Sequence, residues 1–599
     1  MSETSGKGVP SEQSAAHACG LPGVWRGQSA WRVLDIGFDD GAAFADTWAR
    51  WLADPQSPRL LHYVAVCDAC PQLEPLWCLL ADIPRLADQR AALRQQWFGF
   101  SSGTFRISLY AGRLLLTLCI GPRLAVLRDL RFVADAVYAP ASGWDGWNAK
   151  ALARLAQPGM PLALARNSPP AMKHLAQIGF APCGSGNTGF HSLCFQPRWT
   201  QRRSRDSWRT LASPPATCAV IGAGLAGAAV AASMARRGWA VSVFDAQPAP
   251  AAGASGLPVG LLVAQHSLDN NPRSQLSRAG VRLTLQTCRD WLQAGTDWMP
   301  TGVLQLDALE DERRDAPANP DDWSWSFPWP DERPAWATGA VATGPRWNAH
   351  AAWIRPARLV QALLAHSGAE FRGNTRVQTL CHSPDGWELL NNAGTCIARV
   401  AQVVITNAND AARLLCETSV GTAAGILPIT GLQAVVGQMS WGGHTAAHTD
   451  AFPPHPVNGA GSFLAGVPYG QGLAWFAGST YEAQDDQAHD AATRHNLERL
   501  RQMLPEASKR IATLARHHPV QVWRGQRCVA PDRMPVCGAV QTGARPTLWI
   551  SAAMGSRGLS HAILCAELIA AQANGEPLPV APRLARLVRP ERLRLSDHF

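Results

Sequence analysis

Cys218-Ala-Val-Ile-Gly-Ala-Gly-Leu-Ala-Gly-Ala-Ala-Val-Ala-Ala-Ser-Met-Ala-Arg-Arg-Gly-Trp-Ala-Val-Ser-Val-Phe-Asp245 alternates apolar runs with glycine-punctuated small residues. A short apolar run, Cys218 to Ile221, leads into Gly222-x-Gly224-x-x-Gly227. An Ala-rich helical pattern follows, Gly238 stops it, and a second apolar run ends on Asp245. The positions differ in their physical roles. Gly222 permits a tight turn, Gly224 lets backbone amides approach a pyrophosphate, and Gly227 lets helix and strand pack closely. The free N–H groups and positive dipole end of the helix then face the phosphate charge. Asp245 stands 18 residues past Gly227, where a carboxylate accepts hydrogen bonds from a ribose. A glycine triplet alone is weak, but strand, turn, helix, strand and acid in order predict a dinucleotide-binding Rossmann unit. Its expected cradle is Gly222, Ala223, Gly224, Leu225, Ala226 and Gly227, with Asp245 and Ala246 closing the second strand.

Two further turns choose among dinucleotides. Gly253-Ala-Ser-Gly256 follows the second strand closely, contributing Ala254, Ser255 and Gly256. Near the C-terminus, Leu548-Trp-Ile-Ser-Ala-Ala-Met-Gly-Ser-Arg-Gly-Leu-Ser reads as strand, Gly-rich turn and helix, contributing Gly555, Ser556, Gly558 and Leu559. A late helix N-terminus returning to the first Rossmann unit suits the far end of a long cofactor, where a flavin ring needs hydrogen-bond donors. The expected cofactor is therefore FAD, and Val377 completes the expected set.

Outward from this core, the chain has 599 residues, too many for one typical domain. Hydrophobic residues make up 47% and charged ones 17%, which excludes a disordered chain and supplies full-sized cores. The net charge of +9 permits a polyanionic partner without requiring one. Fifteen cysteines, an odd and sparse number, argue against a disulfide scaffold and for a reducing compartment. With no apolar signal region at the start and no uncharged apolar stretch long enough to span a bilayer, the expected location is the cytoplasm. Residues 1–28 read as a loose tail and 199–216 as a polar, basic, Pro-closed linker. They leave an α/β domain over 29–198 and a second over 217–599. In the first, Arg32–Ile36, Leu61–Val66, Leu114–Ile120, Phe132–Tyr138 and Pro161–Ala165 read as buried strands of a parallel sheet, with helical patterns between them at Ala42–Leu52 and Asn148–Ala156. In the second, 256–356 and 425–475 are Trp-rich and strand-prone, as expected of an inserted, mostly antiparallel substrate domain.

From Cys218 onward the chain resembles the FAD-dependent half of the bifunctional tRNA 5-methylaminomethyl-2-thiouridine biosynthesis family, itself related to glycine oxidase and the D-amino-acid oxidases. The matching blocks are Val220–Asp245, Ala254-Ser-Gly256, Gly437-Gln-Met-Ser440, Ala477-Gly-Ser-Thr-Tyr481, Gly525-Gln-Arg-Cys-Val-Ala-Pro-Asp-Arg-Met-Pro535, Met554-Gly-Ser-Arg-Gly-Leu559 and Gly575-Glu-Pro-Leu-Pro579. The resemblance implies FAD-dependent oxidation of a carboxymethylaminomethyl group on the wobble uridine of tRNA, with glyoxylate released and the aminomethyl group left. It also implies a carboxylate clamp of Arg527 and Arg557, since planar guanidinium forks hold carboxylates best. One departure stands out: Val436-Gly437-Gln438 replaces the family's usual Arg-Gly-Gln.

The same family begins with an S-adenosylmethionine-dependent methyltransferase, and 29–198 agrees with it in outline. Leu34-Asp-Ile-Gly-Phe-Asp-Asp-Gly-Ala-Ala-Phe44 stands where the Gly-rich turn belongs, with Asp35, Gly37 and Gly41 as its counterparts. Three details depart. Asp39 and Asp40 crowd that turn, the acid expected to end the second strand is Cys67 with Asp68 one step on, and the segment expected to carry the catalytic acid is shortened around Asp135–Trp147. A Rossmann-like methyltransferase-type fold whose methyl transfer is lost or altered is the expectation. Its structural alternative is a domain that only positions tRNA.

Other signals are discounted. Cys67-Asp-Ala-Cys70 lacks a second pair at zinc spacing, and His444, His448 and Asp450 lack a metalloprotease Glu beside a Gly442-Gly443 loop, so no metal site is expected. Trp323, Trp325 and Trp329 serve better as loop pins than as base-stacking platforms. Arg202, Arg203, Arg205 and Arg209 in the linker, with Arg583, Arg586, Arg589, Arg592 and Arg594 at the tail, offer phosphate contacts or merely a solvated face. The competing functions are a flavin oxidase of free amino acids or amines, and a non-catalytic tRNA-binding flavoprotein.

Overall fold

The computed structural model describes residues 13–166, 169–183, 189–198, 214–267, 269–306, 326–328, 345–418, 425–445, 452–481, 489–541 and 545–593. The chain divides into two compact units, 1–214 with 570–586, and 215–569 with 587–599. Residues 570–586, expected within the domain over 217–599, make their contacts with the first unit. The linker arginines, Trp323, Trp325, Trp329, His448, Asp450 and Arg594 fall outside the described residues.

The first unit is built on an eight-stranded sheet. Its strands are β1 (Ala30–Asp35), β2 (Leu60–Cys67), β3 (Gly103–Leu109), β4 (Leu114–Ile120), β5 (Ala136–Ala139), β6 (Pro161–Ala165), β7 (Phe180–Pro182) and β8 (Phe190–Phe195), in the order β3-β4-β2-β1-β5-β6-β8-β7. The five strands expected from apolar runs are its parallel centre. They are apolar without alternation because both faces are covered. β3, β7 and β8 are antiparallel additions at the edges, where a half-buried pattern is harder to read. The expected loose tail is corrected from residue 13 on. Ala15, Ala16, Cys19, Leu21 and Trp25 pack into the core, and Trp25 Nε1 donates to Asp54 Oδ2 at 2.7 Å. Its helix, Ala15–Ala18, is one turn long and leaves no periodicity to detect.

The second unit pairs a Rossmann sheet with an antiparallel one. The Rossmann sheet runs Glu370–Arg372, β10 (Ala240–Phe244), β9 (Thr217–Ile221), Gln402–Ile405, Leu548–Ala552 and Val536–Ala539, all parallel except the last. From β9 the chain adds β10 and then Glu370–Arg372 on one side before Gln402–Ile405 joins on the other. That reversal opens a crevice at the strands' C-terminal ends. The eight-stranded substrate sheet runs from Ser326–Pro328 to Gln521–Val529, antiparallel except where Val303–Gln305 meets Val457–Asn458. Its pattern was legible; the twenty-residue helix Pro272–Trp291 inside the same region was not. Gly280 on that helix explains its position, because a Cβ there would lie 1.6 Å from the Ser560 carbonyl oxygen. The expected loop at Gly442-Gly443 is instead the end of strand Gln433–His444, where Gly442 faces the Trp475 ring.

Candidate active site

A cavity of ≈ 1220 Å3 opens at the crevice of the second unit. Its first wall is the turn after β9. Gly222 has φ +110°, and a Cβ there would strike the Thr406 backbone at 2.8 Å. At Gly227 a Cβ would fall 1.8 Å from the Gly222 carbonyl oxygen, so only glycine lets helix Leu225–Arg236 pack on that turn. Thr406 closes the junction by donating its hydroxyl to the Ile221 and Gly222 carbonyls, at 2.8 and 2.9 Å.

Of the expected cofactor residues, Gly222, Gly224, Leu225, Ala226, Asp245, Ala246, Ala254, Ser255, Val377, Gly555, Ser556, Gly558 and Leu559 line this cavity. Ala223, Gly227 and Gly256 do not; they stand behind the wall. Ala223 instead gives its amide to Asp245 Oδ2 at 2.6 Å, while Gln247 gives its own to Oδ1 at 2.8 Å. Asp245 is thereby fixed at the cavity edge, with a lone pair left on each oxygen. Ser255 Oγ accepts from the Leu225 amide at 2.9 Å. The next amides, of Ala226 and Gly227, lie in the first helical turn and have no carbonyl four residues back to pair with. The late helix, Gly558–Ala573, begins at the cavity as expected.

Polar groups that sequence reasoning missed complete the walls. Ser551 Oγ, Asn407 Oδ1 and Asn409 Oδ1 are buried, line the cavity and find no protein partner among the described residues. Buried polar atoms without partners mark a place where a ligand supplies the hydrogen bond. Together with the glycine cradle they fit a bound dinucleotide. His266 also lines the cavity, and burial beside Arg278 and Arg346 drives it down to about 3, so it presents a neutral ring.

Both expected clamp residues line this same cavity. Arg527 projects from strand Gln521–Val529, and its Nη1 donates to the Thr480 carbonyl at 3.0 Å and its Nη2 to Ser479 Oγ. The Tyr481 ring lies 5.8 Å from its guanidinium carbon. Gly437 makes room for it, since a Cβ there would sit 2.4 Å from both terminal nitrogens. Arg557 donates from Nη1 to Gln265 Oε1 at 2.6 Å. It is open to the cavity yet walled by protein, and burial, with Arg273 nearby, lowers it from the usual arginine value. Arg346 and Arg524, not singled out from sequence, line the cavity as well. Neither lies inside a matching block, although Arg524 directly precedes the one that opens at Gly525.

In the first unit, the turn after β1 also lies at a strand-order reversal. Asp35 is buried, accepting from Tyr63 Oη at 2.6 Å and from the Gly37 amide at 3.0 Å. Burial lifts its carboxyl to about 6. Asp39 and Asp40 point outward instead of crowding the turn, and Asp40 Oδ1 caps the Ala42 amide at 2.9 Å. Gly41, at φ +80°, abuts Leu76. At the end of β2, burial pushes the Cys67 thiol well up, and Asp68 accepts from the Arg123 amide at 3.2 Å. Asp135 stands just before β5 and pairs with Arg32 at 3.2 Å. Of the three departures from the methyltransferase pattern, the crowding by Asp39 and Asp40 is thus absent, while a buried thiol, Cys67, stands where the acid ending β2 is expected.

The tail arginines are not a free phosphate-binding stripe. Arg592 is bonded to Asp532 at 2.7 Å and Arg589 lies 3.7 Å from Glu591, while helix Pro582–Arg586 is only five residues long. Among the described residues no cluster of metal-ligating side chains occurs. His444 is spoken for, accepting from the Gly466 amide at 3.1 Å. All fifteen cysteines are free thiols. No helix among the described residues is long and apolar enough to cross a membrane.

Glycine cradle, switch-point cavity and antiparallel substrate sheet define a class, the flavin-dependent amine oxidoreductases. The FAD dependent oxidoreductase family matches residues 217–572. FAD is accordingly the cofactor of this chain. Across nearly the whole length, the tRNA 5-methylaminomethyl-2-thiouridine biosynthesis bifunctional protein MnmC of Albidiferax ferrireducens is 40% identical over 608 residues, 96% of this chain and 95% of that protein. The protein of the same name from a Polaromonas species is 40% identical over 615 residues, 96% and 92% of the two chains. Among solved structures, the glycine oxidase of Geobacillus kaustophilus matches with a TM-score of 0.47 and 19% identity, over 60% of this chain and 94% of that one. The chain belongs to the family of the bifunctional tRNA 5-methylaminomethyl-2-thiouridine biosynthesis proteins.

Proposed function

We propose that this protein oxidises the carboxymethylaminomethyl group on the wobble uridine of tRNA in the cytoplasm, using the cavity of the second unit. The observation that carries the reading is the joining, in one cavity, of a dinucleotide cradle and two guanidinium groups far downstream of it in sequence. The turn Gly222–Gly227, with the free amides of the helix behind it, would hold the diphosphate, and Asp245 the ribose. Ser551, Asn407 and Asn409 would meet the cofactor's remaining polar edges. Bound FAD supplies the acceptor for two electrons from the substrate's CH–NH bond.

The protein's share is positioning. Arg527, tied to Ser479 and Thr480, presents its fork already oriented, so less entropy is lost when a carboxylate docks. Arg557 would meet the same carboxylate. With that group fixed, the glycine-like carbon is held at one place for oxidation. Water adds to the resulting C=N bond, glyoxylate departs, and the primary amine remains on the base. For the first unit, buried Asp35 and the thiol ending β2 support a retained fold with altered or lost methyl transfer.

Two experiments test this. Arg527→Lys keeps the charge but loses the fork. KM should rise at least about tenfold with the bound-flavin spectrum unchanged, and unchanged turnover removes the clamp role. Nucleoside analysis of tRNA incubated with the protein, with and without S-adenosylmethionine, should show the aminomethyl product in both cases. A methylated product would restore the first unit's activity.

A further inference from the structure

Strand register sets two glycines of the substrate sheet directly opposite each other, Gly437 and Gly525, and a neighbouring side chain fills the space above each. Above Gly437 lies the Arg527 guanidinium. At Gly525 a Cβ would fall 2.4 Å from Cη2 and 2.8 Å from Cζ2 of Trp523, so the indole leans along its own strand into the room that glycine leaves. Opposite positions of an antiparallel pair point to one face and stand about 5 Å apart. The benzene end of the indole and the guanidinium fork are therefore neighbours, and both residues line the cavity.

The indole also reaches toward the cofactor cradle. Its Nε1 lies 3.9 Å from where a Gly256 Cβ would stand, at the end of the Gly253–Gly256 turn. Of the Phe, Tyr and Trp rings among the described residues, Phe244 and Trp523 line the cavity. Phe244 is buried in the Rossmann core, whereas Trp523 is half-buried. Tyr481, the other ring near Arg527, is not part of the lining.

We propose that Trp523 is the platform on which the pyrimidine ring of the substrate stacks, so that the site selects a carboxymethylamino group borne on a flat ring. The reach agrees. From carboxyl carbon to ring the arm is four bonds, about 5 Å when extended, and the two glycine positions are about 5 Å apart. A carboxylate docked on the Arg527 fork brings the ring that bears it above the indole. Stacking asks only for a π-face, so this recognition needs no hydrogen bond to a base edge.

This role rests on the tRNA reading, and the test separates the two. Full-length, FAD-loaded protein oxidises an anticodon stem-loop carrying 5-carboxymethylaminomethyluridine while N-benzylglycine or N-(cyclohexylmethyl)glycine competes. The two competitors bear the same arm on a flat and on a puckered ring. The wild type should hold the flat one at least about fivefold more tightly, the low end of what one stacked ring contributes. Trp523→Ala should bring the two inhibition constants within about twofold and lower kcat/KM on the stem-loop about tenfold, with the flavin spectrum unchanged. Trp523→Phe should keep most of both. Equal inhibition by the two competitors in the wild type, none included, or a flat-ring preference that survives in Trp523→Ala, overturns the platform and leaves the tRNA reading in place. A shifted flavin spectrum in Trp523→Ala with unchanged stem-loop kinetics assigns the indole to the cofactor and overturns it too. No turnover of the stem-loop by the wild type overturns both.

Discussion

At the scale of single residues, the site depends on where a Cβ is absent. Gly437→Ala would place a methyl group about where the Arg527 guanidinium now lies, against both Nη atoms. Because a misplacement near 1 Å costs on the order of a hundredfold in well-oriented reactions, kcat/KM should fall steeply while FAD remains bound. Steady-state kinetics beside the flavin spectrum reads this, and wild-type kinetics would contradict it. The sequence showed Gly437 only as a neighbour of the unusual Val436, because the pairing with Arg527 is made by strand register. A second residue-scale expectation concerns Asp35. Its carboxyl is raised from 3.8 to about 6, so the folded state keeps a proton that the unfolded chain has released. Stability then falls as pH rises from about 4 to 6 and levels off above. Asp35→Asn removes that dependence. Relative to the parent, the variant should gain on the order of 1 kcal/mol between pH 5 and pH 8, measured by denaturant unfolding. A gain independent of pH would contradict the burial argument.

At the scale of elements, the first and last helices of the Rossmann half are joined through one buried acid. Glu567, on Gly558–Ala573, bonds Ser233, Arg236 and Arg237 of Leu225–Arg236, with Arg237 Nη2 at 3.1 Å. Burial alone would raise this carboxyl, but Arg237 and Arg236 prevail and hold it well below the usual range. Glu567→Gln leaves the buried Arg237 without its counter-charge, which costs about 3–5 kcal/mol. A large fall in thermal stability with faster loss of FAD is expected, and unchanged melting would count against it. The two helices themselves were readable, one from its glycine spacing and the other from its Gly-rich turn. Their ion pair was not, since 330 residues separate Arg237 from Glu567. The substrate sheet shows the same limit. Its strand-prone composition was visible, yet Gly437 and Gly525, which the Arg527 and Trp523 side chains cover, face each other only through pairing order, which local composition does not encode.

At the scale of the molecule, 570–586 belongs to the first unit by its contacts. Buried Arg106 donates from Nη2 to the Pro577 carbonyl at 2.7 Å, and buried His62 meets Glu576 at 3.4 Å. Residues 1–214 alone would leave those groups short of partners, a cost of about 1–3 kcal/mol for each neutral group and more for the charge. That fragment should melt well below the first unit of the full chain, and a fragment extended by a flexible link to 570–586 should recover; equal melting would refute the dependence. The matching block Gly575–Pro579 was visible in the sequence, but its place in the other unit was not, because chain order is a poor guide to which core a terminal segment joins.

In the proposed reaction one cavity holds FAD through the Gly222–Gly227 turn and docks a carboxylate-bearing tRNA arm at Arg527. Anaerobic mixing of the FAD-loaded protein with tRNA carrying 5-carboxymethylaminomethyluridine tests it most directly. The oxidised-flavin absorbance should bleach with this tRNA and stay unchanged with free glycine. Bleaching by glycine and not by the tRNA, or a folded protein that does not retain FAD, would contradict it.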